Sequence, residues 1–98
     1  MKLGVFVSDY KLAVDTLDRM KGENLGIVLV QNGVYHAVLK EGGKESALLG
    51  KTPRLYALSE DLQTRGLRPE QVDKRVKVVD YSGLVDVIFN DFEKVAWL

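Results

Sequence analysis

Apolar residues along this chain gather in short runs, and each run is followed by a turn or capping residue and a polar stretch before the next begins. Lys2 to Val7 (KLGVFV) reads as a first strand, apolar and β-branched enough to be buried, with Gly4 as its weak spot. Ser8 and Asp9 then supply a cap and a first-turn acid for a helix to Met20, in which Ala13, Val14, Leu17 and Met20 fall at helical spacing. Lys21-Gly22 ends it. Leu25 to Val30 (LGIVLV) has no polar side chain and the character of a strand in the middle of a parallel sheet, covered on both faces. Asn32-Gly33 has hairpin chemistry, but Val34, Ala37 and Val38 recur at i, i+3 and i+4, which predicts a short helix at the strand's end instead.

Gly42-Gly43 breaks that helix, and Lys44 to Leu49 is expected to make one more helical turn before Gly50 and Pro53. Arg54 to Leu58 is the third strand, and it runs straight into a polar helix. Ser59 is its expected cap, Glu60 and Asp61 put negative charge in its first turn, Arg65 lies by its last carbonyls, and Gly66 is the left-handed terminator. Leu67 to Lys74 is a polar connection in which Pro69 opens a helical turn. Val76 to Val79 is the fourth strand, Asp80-Tyr81-Ser82 caps a fourth helix to about Asn90, and Val95 to Leu98 adds a last strand. Strand and helix alternating in this way predict an α/β sandwich with a mainly parallel sheet of four to five strands and right-handed crossovers.

The fourth helix is more apolar than a sheet requires. At about 100° per residue, Leu84, Val85, Ile88 and Phe92 form one stripe, and Val87 and Phe89 widen the apolar arc to roughly 200°. The excess points to a second covered surface. Another subunit would supply it most simply; the chain's own tail with Trp97 is the alternative.

Composition narrows the function rather than naming it. Ninety-eight residues make one expected domain, 1–98, of a size that buries only roughly 60–70% of its unfolded surface. Fourteen basic residues balance fourteen acidic ones, so no net field draws the chain to nucleic acid or an anionic membrane. The densest basic patch, Lys74, Arg75 and Lys77, reads as a solvated strand edge. No apolar run has the length of a membrane span, and the N-terminus lacks a signal peptide's apolar core, so the expected location is cytoplasmic. There is no cysteine, which removes disulfides, thiolate nucleophiles and persulfides from this chain.

In an open parallel sheet, ligands bind beside the carboxyl ends of the strands. Ser8-Asp9-Tyr10, Gln31-Asn32-Gly33, Ser59-Glu60-Asp61 and Asp80-Tyr81-Ser82 all fall there, and each is also fully accounted for as a helix cap. No carboxylate pair stands out as a catalytic dyad. His36, the single histidine, lies about 200° round its helix from Val34, away from the core stripe and towards solvent or a partner. It has no cysteine or second histidine with which to hold a metal. No G-x-S-x-G, G-x-G-x-x-G or Walker loop occurs. Neither a catalytic residue nor a cofactor is expected.

Four blocks carry a resemblance. VQNGVYHAVL (Val30 to Leu39), RLYALSEDLQTRGL (Arg54 to Leu67), VVDYSGLVDV (Val78 to Val87) and VAWL (Val95 to Leu98) are similar, in order and spacing, to the DsrH/TusB family, small subunits of the DsrEFH and TusBCD sulfur-relay complexes. The resemblance implies a DsrE-like three-layer α/β fold and assembly with DsrE/TusD-like and DsrF/TusC-like sibling subunits. Such a complex receives sulfur as a persulfide and passes it on, towards 2-thiouridine at the tRNA wobble position or within dissimilatory sulfur oxidation. Some DsrH-type members carry a cysteine in the first helix. Here the corresponding place falls near Thr16 and Leu17, neither of which forms a persulfide. The resemblance therefore implies a non-catalytic subunit of a sulfurtransferase complex; a stand-alone, self-associating protein of this fold is the alternative. The candidate interface or strand-end residues are Asn32, Gly33, Tyr35, His36, Asp61, Tyr81, Phe89 and Trp97.

Overall fold

The computed structural model describes residues 2–8, 24–38, 40–41, 44–45 and 54–97. The expected first helix lies outside them. Strands β1 (Lys2–Val7), β2 (Asn24–Leu29), β5 (Leu55–Leu58), β6 (Val76–Val79) and β7 (Lys94–Trp97) form one sheet in the order β6-β5-β2-β1-β7, with every pairing parallel. The run without a polar side chain is central, as its composition requires. The last strand is real, and it occupies the edge beyond β1.

A 3-10 helix (Gln31–Ala37) follows β2 directly. It ends before Val38, so the helix expected there is shorter and more tightly wound. Lys40–Glu41 (β3) and Lys44–Glu45 (β4) pair antiparallel, whereas the sequence predicts a helical turn from Lys44. Both dipeptides alternate a lysine with a glutamate, and the register sets Lys40 opposite Glu45 and Glu41 opposite Lys44. The glycine break and the remainder to Leu49 lie outside the described residues.

Alternation along the strands divides the core in two. On one face Val5, Val7, Ile27, Leu29, Leu55, Ala57 and Val76 pack under Val34 and Ala37 of the 3-10 helix and Leu62 of α1 (Ser59–Thr64). On the other, Phe6, Val28, Val30, Leu58 and Val79 pack under α2 (Tyr81–Asp91) through Leu84, and under Phe92 just beyond it. Helical elements on both faces make the three layers.

Phe92 explains a feature that looks like weakness in the sequence. Leu-Gly followed by apolar residues occurs twice, in Leu3-Gly4 and Leu25-Gly26, and the register sets Gly4 beside Gly26. A Cβ would lie 2.4 Å from the Phe92 ring at Gly4 and 2.3 Å from it at Gly26. The paired glycines are the bed of that ring, and Phe92 adopts extended backbone (φ −116, ψ 140) to reach it rather than continuing the helical stripe.

Candidate functional site

All four strands that lead into helices or loops on this sheet point the same way, so their carboxyl ends meet along one edge. At the end of β2 the chain turns through Gln31, whose φ of 49 lies in the left-handed region. Its N–H donates to Asp61 Oδ2 at 2.7 Å. Arg65, one helical turn after Asp61, has Nη1 3.7 Å from Asp61 Oδ1 and donates to the Asp61 carbonyl at 3.2 Å. Its Nε donates to Asn32 Oδ1 at 3.0 Å. Asp61 and Arg65 thereby tie the first turn after β2 to α1.

Glu60 performs the same service in the other direction. One of its oxygens accepts from Ser59 Oγ at 2.9 Å and the other from the Tyr81 N–H at 3.3 Å, at the start of α2. Asp80 Oδ1 accepts from the Gly83 N–H at 2.7 Å, the N-cap bond expected of it. Ser59 is not a cap. Helix α1 begins at Ser59 itself, so the N-cap position falls to Leu58, whose apolar side chain makes no cap bond, and the Ser59 hydroxyl donates to Glu60. Gly66, at φ +68, closes α1 as expected: its N–H reaches the Gln63 carbonyl at 3.0 Å, and the Leu67 N–H reaches Leu62 at 2.9 Å.

Three of the four strand-end loops thus converge, and their carboxylates are used to tie them together. Gly33 completes the joint with β1, since a Cβ there would stand 1.9 Å from the Val7 carbonyl oxygen. Asn32, Gly33, Asp61 and Tyr81 are brought together; Gln31, Glu60 and Arg65 complete the set. The i, i+4 spacing of Asp61 and Arg65 is a signal for that pair, whereas Gln31 is marked only by its place in the strand-end loop with Asn32 and Gly33. Among the described residues no group of three or more histidine, cysteine, aspartate or glutamate side chains is placed to hold a metal, and no buried side-chain nitrogen or oxygen lacks a partner. Among the described residues, these side chains act chemically as joinery between the loops.

His36 corrects the sequence reading. It is buried, at 6% exposure: in the 3-10 winding it falls in one i, i+3 row with buried Gly33, beside the row of Val34 and Ala37, so both rows face inward. Tyr35 beside it is half-buried. The basic patch is partly neutralised: Arg75 Nε and Nη2 donate to the Asp73 carboxylate at 2.9 and 3.1 Å. Under α2, the Tyr56 hydroxyl lies 3.4 Å from Asp91 Oδ2. Burial first, then the Asp91 charge and hydrogen bond, raise the Tyr56 pKa, with Arg54 opposing.

Phe89 and Trp97 belong elsewhere, to the outer surface over α2 and β7. Phe89 is 81% exposed and Trp97 62%, together with Tyr81, Val85 and Val95. The Trp97 indole packs on Phe6 with ring centroids 5.0 Å apart. The tail is a strand in the sheet, so it does not cover the outer side of α2.

Fold and site together define a small DsrE-like sandwich around an all-parallel five-stranded sheet, with three described strand-end loops tied to one another and an apolar surface exposed over α2 and β7. Among solved structures, the ychN protein from E. coli aligns with a TM-score of 0.66 at 13% identity, covering 100% of both chains. The protein of unknown function MTH1491 from Methanobacterium thermoautotrophicum aligns at 0.64 and 15%, covering 97% of each. The chain belongs to the DsrH family, whose model, described as DsrH like protein, matches residues 7–93. It is similar to Protein TusB of Photorhabdus laumondii, at 32% identity over 92% of this chain and 93% of that one. Protein TusB of Pectobacterium parmentieri is 34% identical over the same shares.

Proposed function

We propose that this chain is a non-catalytic subunit of a sulfur-relay complex that supports 2-thiolation of the tRNA wobble uridine. The observation that carries the reading is family membership across nearly the whole chain in a polypeptide with no cysteine. Persulfide transfer requires a thiolate to accept and release sulfur. The thiols must then sit on other chains, and this one contributes binding surface as a single cytoplasmic domain. Relatives named TusB favour the tRNA branch over sulfur oxidation. The open apolar face of α2 and β7 fits a protein that works inside an assembly.

Co-expression with the cysteine-bearing DsrE- and DsrF-like siblings from the same genome tests the reading. Native mass spectrometry is expected to show one hetero-oligomer containing all three, and deleting this chain is expected to lower 2-thiouridine in bulk tRNA. A chain that never associates with either sibling, or a deletion that leaves thiolation at its wild-type level, overturns it.

A further inference from the structure

The joint after β2 is built on the asparagine most prone to react. The three asparagines of the chain precede Leu25, Gly33 and Asp91. Asparagine deamidates when the backbone nitrogen of the next residue attacks its Cγ, and glycine, with no side chain to obstruct the approach, leaves that nitrogen most accessible. The packing allows nothing larger than glycine at 33, since a Cβ there would collide with the Val7 carbonyl oxygen. Asn32 is committed as well, its Oδ1 accepting the Arg65 Nε–H at 3.0 Å. A labile pair is thus a requirement of the fold, and Asn32 is exposed, within reach of water.

The native geometry closes the reaction path in three ways. The Gly33 N–H donates to the Val30 carbonyl at 2.8 Å, so the nucleophile is neither deprotonated nor free. Asn32 lies in the 3-10 helix, and 3-10 backbone, with ψ of about −20 to −30°, keeps the following nitrogen from closing a five-membered ring on Cγ. Arg65 holds the carboxamide towards α1. Gln31, just before, sits at φ 49, a strained conformation that persists where neighbouring contacts over-determine it. The Asp61 carboxylate, accepting the Gln31 N–H at 2.7 Å, is such a contact.

We propose that Asn32-Gly33 is a gated site of self-modification, inert while Asp61 and Arg65 hold the loop to α1 and reactive when that joint opens locally. In the open loop the Gly33 nitrogen loses its proton and bonds to Asn32 Cγ; the Cγ–Nδ2 bond then breaks, and ammonia leaves with the proton. Water opens the resulting succinimide at either carbonyl, giving aspartate or isoaspartate. Aspartate keeps an oxygen for Arg65. Isoaspartate carries the main chain through Cβ and Cγ and lengthens it by one atom, which Gly33, wedged against Val7, cannot absorb. That product is shut out of the native joint, and one opening event becomes permanent.

Peptide mapping of the full chain, incubated folded and urea-unfolded in mildly alkaline buffer, tests this, with Asn24 and Asn90 as references in the same digest. Residue 32 is expected to react at least about tenfold more slowly in the folded chain. Asp61→Ala and Arg65→Ala are expected to accelerate it several-fold. Ile88→Ala, which trims the core on the α2 face, shows what general loss of stability does, and urea melts place all three variants on one scale. Equal rates folded and unfolded, or no reaction at residue 32 in either state, overturn the site. An acceleration in Ile88→Ala as large as in the joint variants, at matched stability loss, assigns the reaction to global unfolding and overturns the gate. Slower reaction in Arg65→Ala would make Arg65 an activator of the carboxamide and overturns its guarding role. Asn32→Asp reproduces the aspartate product and is expected to melt close to the wild type, and the isoaspartate product, purified from reacted chain, well below it. Equal melts of the two overturn the exclusion of isoaspartate from the joint.

Discussion

The two faces of the sheet are built from alternate residues of the same strands, and the strands make them almost equally apolar. Val5, Val7, Ile27 and Leu29 are fully buried on one side, and Phe6, Val28 and Val30 are buried on the other. What differs is the covering layer. Helix α1 turns Leu62 inward and leaves Gln63 and Thr64 to solvent, the ordinary division of a helix that packs once. Helix α2 turns Leu84 inward and leaves Val85 and Phe89 outside, with Trp97 exposed beside it on the strand layer. One face is finished by its own chain. On the other, aromatic surface over α2 and β7 stays exposed, and surplus apolar surface of that kind fits the proposed role inside an assembly.

Substitutions to alanine on the two kinds of position break or sharpen this contrast most strongly. Phe92→Ala removes the ring over Gly4 and Gly26 and is expected to cost about 3–5 kcal/mol, and Leu62→Ala about 2–5. Phe89→Ala, although it deletes as large a side chain, is expected to stay within about 0.5 kcal/mol in the isolated chain. Urea denaturation of the three variants measures this directly. A loss above about 1 kcal/mol for Phe89→Ala would make the outer side of α2 part of the chain's own core.

A double-mutant cycle tests the ring's seat. Gly26→Ala alone is expected to cost about 1–3 kcal/mol by overpacking, because its Cβ enters the Phe92 ring. In the Phe92→Ala background the same change is expected to cost far less, a coupling of about 1–3 kcal/mol. Simple additivity would mean that the ring does not rest on Gly26.

These positions also show how far the sequence could be read. Strand runs and the Gly66 stop are local signals, and local signals survive folding; hence the positions of the main strands along the chain, the central place of β2 and the end of α1 were all legible. The surplus on α2 was legible too, though Phe92 was not a member of its stripe. Pairings between distant residues were not. Gly4 reads as a defect until register sets it beside Gly26 beneath a phenyl ring from the other end of the chain. His36 reads as outward at 100° per residue and is buried in the 3-10 helix, in one i, i+3 row with Gly33. Among the strand-end residues, Asn32 and Asp61 were visible as turn and cap types, but their bonds to Arg65 and Gln31 depend on how β2 and β5 are brought side by side.

Capping gives the next smaller effect. Asp80 accepts the Gly83 N–H, so Asp80→Ala is expected to cost about 1 kcal/mol. Ser59→Ala removes only a hydroxyl bond to the neighbouring Glu60, and a few tenths are expected. Thermal melts of the pair distinguish a cap from a residue that merely has the composition of one. Equal losses would return Ser59 to the capping role its position suggests.

The smallest expected effect lies where α2 meets the sheet, at Tyr56. Burial and the Asp91 carboxylate both favour the neutral phenol, so its pKa is higher folded than unfolded. The stability this contributes is fully present below the unfolded value, about 10, and is lost as pH rises through the higher folded value. Tyr56→Phe cannot ionise. Wild type and Tyr56→Phe should therefore melt in parallel from pH 7 to 9.5, and above pH 10 the wild type should fall faster. Other tyrosines and lysines titrate in both proteins, so the difference between the curves isolates Tyr56. Asp91→Asn should narrow the divergence without removing it, because burial is the larger cause. Curves that stay parallel to pH 11 would mean that α2 sits less closely on β5 than the 3.4 Å contact between Tyr56 and Asp91 requires. The face would then be looser inside as well as uncovered outside.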